Sequence, residues 1–194
     1  MSRREQKRER VLGGGGGNKA TPKWVFPTLF LLAIAGLVAV GVVQNAPQPA
    51  GPPVAGARVG AVDYQKGARV EQIPIQVAQA GGKIEIPLSE VKSMRLVGFT
   101  YTGPGKSLPL LAYIAPSGRV VTAVSMCEPC NSTTFHLEGD ELVCNTCGTR
   151  WELETLRGTA GGCQNYPPDP FPNTLSGETI IVQEASVANW QPRV

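Results

Sequence analysis

The sequence predicts a small, mainly β domain carried on one N-terminal transmembrane helix, and three features predict it. From Arg58 onward apolar residues recur with a period of two, the repeat of a half-buried strand. Trp24 to Val43 is a run of twenty residues without a charge. All five cysteines fall between Cys127 and Cys163, four of them in two Cys-x-x-Cys pairs. At 194 residues, with 42% hydrophobic and 17% charged, the chain has room for one small domain and its attachments.

The first 23 residues form a basic tail with seven Lys/Arg against two Glu, and the remainder of the chain carries two net negative charges. No basic surface is left for nucleic acid once the tail is set aside. No Gly-rich loop joins a strand to a helix as a phosphate cradle would, so no nucleotide is expected either. Gly13 to Gly17 reads as a flexible linker within the tail. Residues 24–43 follow as the transmembrane helix: at about 1.5 Å per residue the run spans a hydrocarbon core of roughly 30 Å. Pro27 falls in its first turn, where a missing N–H costs little, and Trp24 sits at the headgroup edge. Arg3, Arg4, Lys7, Arg8, Arg10, Lys19 and Lys23 precede the span, and the next cation is Arg58. The positive-inside rule then places the tail in the cytoplasm and the domain outside the cell membrane.

A cleaved signal peptide is the competing reading. The run is long for one, and no small-x-small site stands near Gln44 to Ala50. Arg3-Arg4 begins as a twin-arginine export signal does, but Gln6 and Lys7 stand where that signal has an apolar pair. Residues 44–57, rich in Pro, Ala and Gly, form an extended, semi-stiff linker.

Residues 58–194 are the extracytoplasmic β domain. Ile73, Ile75 and Val77 alternate, with Pro74 marking an edge strand. Ile84, Ile86 and Leu88 repeat the pattern, and 96–101, 110–115 and 119–125 read as further strands, the last two joined at Pro116-Ser117-Gly118. Segments 142–144, 151–153 and 179–182 complete a set expected to close as a small sandwich or partly open barrel. The Gly- and Pro-rich stretch 158–172 reads as a functional loop or lid.

The cysteines carry the chemistry. Cys127-Glu128-Pro129-Cys130 and Cys144-Asn145-Thr146-Cys147 are separated by thirteen residues. Each such turn aims two thiolates at one metal, and two turns make a tetrahedral sulfur site, so Cys127, Cys130, Cys144 and Cys147 are the candidate metal ligands. Asn131 and Gly148, the residues after each pair, tolerate the left-handed conformation that turns backbone N–H groups toward sulfur. Phe135–Leu137 and Leu142–Cys144 flank Glu138-Gly139-Asp140-Glu141 as a hairpin that folds one knuckle onto the other. Disulfides are the alternative outside the cytoplasm, but an odd count leaves one thiol unpaired and two local Cys-x-x-Cys disulfides would be strained. Zinc and iron–sulfur centres both accept an all-sulfur site. Cys163 favours the iron–sulfur centre, since a closed zinc site needs no fifth thiol. Cys163 is placed near the knuckles as a cofactor-binding residue, with Gly161-Gly162 allowing close backbone approach.

The run from Cys127 to Pro168, with its two Cys-x-x-Cys pairs, the Glu-Gly-Asp-Glu-Leu-Val-Cys hairpin, Cys-Gly before Trp151-Glu152-Leu153, and Gly161-Gly162-Cys163, resembles the FtrD-like membrane iron–sulfur proteins. The likeness covers roughly residues 80–170. It implies a membrane-bound domain holding an iron–sulfur centre and serving ferrous-iron uptake through a permease. Members commonly carry Gly-Gly-Cys-Asn-Pro, whereas Gln164-Asn165-Tyr166-Pro167-Pro168 follows Cys163 here. A more distant resemblance to Rieske domains rests on the order of second ligand pair, Gly, aromatic-acidic strand and Gly-Pro loop. It implies a Rieske-like or zinc-ribbon-containing β fold with a lid, but His136, the one histidine, stands in neither ligand position that a Rieske centre needs.

His136 is expected to face solvent, Met126 to pack, and Trp151 with Leu153 to enter the core. Glu152 and Glu154 share a strand face and are expected to meet water. No Ser/His/Asp or Cys/His pairing supports hydrolysis. Two function classes remain: an electron carrier, rather than a stand-alone catalyst, serving an integral-membrane redox or transport partner, and a zinc-braced assembly module of a membrane complex.

Overall fold

The computed structural model describes residues 55–194. The basic tail, the predicted span at 24–43 and most of the linker lie outside the described residues. Among the described residues no helix is long and apolar enough to cross a membrane.

The domain is mainly β. Its central strands are β5 (Leu96–Gly103), β6 (Lys106–Ile114) and β7 (Val120–Val124), which pair antiparallel in sequence order. β2 (Ile73–Pro74) and β12 (Pro170–Phe171) extend this central sheet at its two edges, β2 running parallel to β5. Pro74 lies on an edge, where its missing N–H breaks no ladder. A second sheet has the order β1 (Arg69–Glu71), β8 (Phe135–Glu138), β9 (Glu141–Cys144), β10 (Arg150–Glu152), β11 (Gly158–Ala160). A third has the order β13 (Asn173–Ser176), β14 (Thr179–Gln183), β4 (Lys83–Pro87), β3 (Ala78–Ala80). The architecture is therefore three sheets, where the sequence reading expected a small sandwich or partly open barrel.

The central sheet explains why three sheets form. Along β6 Leu110, Ala112 and Ile114 enter one core, packed with Ile84, Ile86, Ile180 and Val182 of the third sheet. Leu111 and Tyr113, one residue out of phase, enter another with Phe135, Leu142 and Trp151 of the second sheet. Because successive side chains point to opposite faces, an unbroken apolar run such as Leu-Leu-Ala-Tyr-Ile must be covered on both sides. Leu88, expected as the last strand residue after Ile86, instead opens helix α1 (Leu88–Met94), which buries Leu88 and Val91 three residues apart. Pro87 sets the extended entry to that helix. The segment 158–172 is not wholly irregular, since it begins as β11 and ends in β12 on opposite sides of the Cys163 loop.

Candidate metal centre

Two turns of near-identical construction carry four of the sulfurs. In the first, Cys127 precedes a 3-10 turn, Glu128–Cys130, with Asn131 left-handed at φ 54°. The Cys127 N–H donates to the Ser132 carbonyl at 2.8 Å, closing the turn. In the second, Cys144 donates to the Thr149 carbonyl at 2.9 Å and Gly148 is left-handed at φ 68°. Asn131 and Gly148 hold equivalent places, and both take the conformation their residue types allow. The next residue in each turn then aims its backbone N–H at the second sulfur: Ser132 at Cys130 and Thr149 at Cys147.

The β8–β9 hairpin joins the turns, as the spacing predicts. Cys144 at the end of β9 stands opposite Phe135 at the start of β8. Gly139, at φ 60°, occupies the first position of the two-residue turn that connects them. Asn145 adds a further link by donating its N–H to the Thr134 carbonyl at 3.1 Å.

These elements bring all five thiols together, none of them in a disulfide. The sulfur of Cys127 lies 3.8 Å from that of Cys147, and Cys130 lies 3.7 Å from Cys144, so each contact crosses between turns. Cys163, from the loop, lies 3.8 Å from Cys147. Cys127, Cys130, Cys147 and Cys163 all fall within 4.8 Å of one another. Cys144, buried at the end of its strand, stands beside Cys130 and outside that tightest group. The donor set fits a thiophilic metal: a tetrahedron with metal–sulfur bonds of about 2.3 Å has sulfur–sulfur edges of about 3.8 Å.

The thiols differ in acidity. Burial pushes Cys127 well up, with its sulfur neighbours adding to the effect. Burial likewise raises Cys130 to about 11, against the lowering influence of the Ser132 N–H. At Cys147 desolvation also raises the pKa, but the Thr149 hydroxyl and N–H, with Cys144 and Cys130, outweigh it and bring the thiol down to about 6.

Several residues that the sequence reading did not assign to the site hold it in place. Thr149 is fully buried. Its hydroxyl accepts the Cys163 N–H at 3.1 Å and lies 3.2 Å from the Cys147 sulfur, tying the loop to the second turn. Trp151, in the core as expected, also donates its indole N–H to the Gln164 carbonyl at 3.2 Å. His136 does not face solvent: it is buried. Arg69 Nη1 lies 3.1 Å from its Nε2, and its Nδ1 lies 2.6 Å from Asn145 Oδ1. As a guanidinium only donates, Nε2 accepts and Nδ1–H donates to Asn145, which fixes the tautomer. The cover over His136 comes from β1, which pairs with β8 from far upstream in the chain. Glu152 and Glu154 do not simply meet water: Glu152 pairs with Arg157, and the Glu154 carboxylate accepts from Ser117 and lies 3.7 Å from Arg119 Nε.

Over residues 91–194 the chain matches the family described as "Membrane iron-sulfur containing protein FtrD-like", and it belongs to that family. Curated proteins give no match. Among solved structures, the Sphingomonas yanoikuyae B1 ferredoxin aligns at 21% identity and a TM-score of 0.35, covering 49% of this chain and 87% of the ferredoxin.

Proposed function

From that membership we propose that the chain is a membrane-anchored, extracytoplasmic iron–sulfur protein. In this reading it is an electron carrier that serves an integral-membrane partner in ferrous-iron uptake. The observation that carries the proposal is the convergence of five free thiols from three separate segments. Iron held there would supply one-electron redox chemistry. Cys127, Cys130 and Cys147 belong to both four-sulfur sets that the chain offers, and either Cys144 or Cys163 completes the set.

The residues around the thiols have definable tasks. Cys147, lowered to about 6, presents a thiolate at neutral pH and so begins ligation. Cys127 and Cys130, both raised, release protons as metal replaces them. The N–H groups of Ser132 and Thr149 favour negative charge on the sulfurs they face. Cys147 is also the exposed thiol, and Asn145, Thr146 and Gly148 around it are small and uncharged. A partner can approach the sulfurs closely on that side, while Phe135 and Trp151 exclude water from the other. The basic tail supports an N-terminus inside the cell and residues 58–194 outside. Protease added to intact cells should then remove the domain, and full protection would reverse the orientation.

A zinc-braced assembly module is the second reading. What favours it is compactness: four sulfurs within 4.8 Å suit one tetrahedral ion. Anaerobic purification of the full chain in detergent separates the two. Visible absorbance, with iron and acid-labile sulfide measured on the same sample, is expected to show coloured protein containing iron. Sulfide content then tells a cluster from a single iron. Colourless protein holding stoichiometric zinc would overturn the redox reading.

A further inference from the structure

The sulfurs come from three segments, and two of the three junctions between them are plain. The hairpin joins the first turn to the second, and Thr149 with Trp151 joins the second turn to the Cys163 loop. The third junction, between the first turn and the loop, is made by Arg193. Glu128, the residue after Cys127, has a side chain only 2% exposed. Both of its carboxylate oxygens are taken by Arg193: Oε2 accepts the backbone N–H, and Oε1 accepts Nε–H at 2.6 Å and also Nη2–H. The same guanidinium reaches the loop. Nη2 donates to the Pro167 carbonyl at 2.6 Å, Nη1 lies 3.0 Å from Asp169 Oδ1, and Cζ stands 5.7 Å from the Tyr166 ring centroid. Trp190 steadies the far side of Asp169 by donating Nε1–H to Oδ2 at 2.7 Å.

We infer that Arg193 is a positioning residue for the thiol set, clasping the first Cys-x-x-Cys turn to the loop and thereby holding the Cys163 sulfur against the others. The inference rests on the reading of these thiols as a metal-holding group. Two physical arguments carry it. A carboxylate buried beside thiols that must become thiolates is tolerable only when paired, and Arg193 supplies the pairing. A planar fork is also the group that can serve two carboxylates and a carbonyl at fixed angles; an ammonium in its place is one point with three rotatable donors. Groups that orient ligands without touching metal typically govern affinity by about 10–100-fold.

The test uses the full chain in detergent, reduced and metal-free, with cobalt(II) as the probe and its sulfur-to-cobalt charge-transfer band as the signal. Arg193→Ala should weaken cobalt binding about 10–100-fold, and Arg193→Lys should recover only part of the loss. In a Cys163→Ala background, Arg193→Ala should change affinity less than about twofold, because its route of action is gone. Asp169→Asn cuts the loop arm without exposing Glu128, and serves if Arg193→Ala does not fold. It should reproduce a loss that also vanishes without Cys163. Unchanged affinity in both variants, or an equal loss with and without Cys163, overturns the clasp. A second measurement needs no metal. Dibromobimane, which bridges neighbouring thiols, should join Cys147 to Cys163 in the parent chain and several-fold less in Arg193→Ala or Asp169→Asn, by peptide mass. Absence of any charge-transfer band in the parent chain refutes the metal reading, and the bridging yield still decides the clasp.

Discussion

Gly161→Ala should dismantle the loop side of the centre, while Gly162→Ala one residue later should be silent. Gly161 has φ 96°, a backbone region in which an L side chain is strained by about 1–3 kcal/mol. Its added Cβ would stand 2.6 Å from both Cα and Oγ1 of Thr149. Thr149 is fully buried and cannot swing away, so overpacking adds about 1–3 kcal/mol. The total of about 2–6 kcal/mol is a large part of the 5–15 kcal/mol by which a domain is typically stable. The damage is also directed, because Thr149 Oγ1 holds the Cys163 N–H and lies against the Cys147 sulfur. A Cβ on Gly162 meets nothing within 4 Å, and its φ is not positive, so the cost there should stay within about 0.5 kcal/mol. Urea denaturation of the metal-free chain, followed by tryptophan fluorescence, measures the first quantity, and metal retained after gel filtration measures the second. Equal behaviour of the two variants would refute the placement of the loop against Thr149.

Three further outcomes follow from the geometry. In the reduced, metal-free chain, iodoacetamide should label Cys147 along a titration near pH 6 and Cys130 along one near pH 11, as read by peptide mass; coincident profiles near the ordinary thiol value would refute the burial of Cys130 and the Thr149 and sulfur contacts of Cys147 that separate them. For stability, the lowered Cys147 contributes fully above the unfolded value of 9.0 and loses its contribution as pH falls through about 6, whereas the raised Cys130 contributes below 9.0 and loses its contribution as pH rises through about 11. The urea midpoint of the metal-free chain should therefore carry a thiol component that rises from pH 6 to 9 and falls beyond it. Trp151→Phe keeps a ring beside Phe135 but deletes the hydrogen bond to the Gln164 carbonyl, at about 1–3 kcal/mol in all. Labelling of Cys163 should quicken in that variant, and an unchanged rate would show that the indole N–H does not hold the loop.

How much of this was legible beforehand depends on the sequence distance over which each feature is decided. The hairpin, the two turns and the left-handed residues after them are local, each fixed within about six residues by Gly, Asn and spacing, and they could be read directly. Strand periodicity located most of the central sheet. It did not distinguish a two-layer from a three-sheet arrangement, because Leu110–Ala115 buries both faces and the identity of each cover depends on strands 84–86 and 180–182 as well as 135–151. Leu88 is ambiguous for a related reason. Its spacing from Ile86 continues a strand and its spacing from Val91 begins a helix, and only Pro87 between them marks the break.

The support of the site was hidden because its partners are far apart in the chain. Nothing near His136 announces burial: it alternates with residues of a polar hairpin, and the arginine that covers it lies 67 positions upstream. Glu128 looks like an exposed acid inside a knuckle until Arg193 is placed against it from 65 positions downstream. Gly161 and Gly162 are chemically identical in the sequence, and it is the positive φ of one and the position of Thr149 against it that make it indispensable. The same reasoning bears on the fifth thiol. Spacing alone pairs Cys144 with Cys147, since a Cys-x-x-Cys turn is a local unit. Yet Cys144 is a strand residue whose backbone is committed to the β9 ladder and whose sulfur stands outside the tightest group, while Cys163 is already held against Cys147 by Thr149. A metal that draws in four of five sulfurs would meet less strain at the set already within 4.8 Å of one another, so the ligand most easily read from spacing is the one most readily left over. Separate Cys144→Ala and Cys163→Ala substitutions, compared by cobalt affinity, decide this: the larger loss should fall on Cys163, and a larger loss at Cys144 would return the site to the set given by spacing.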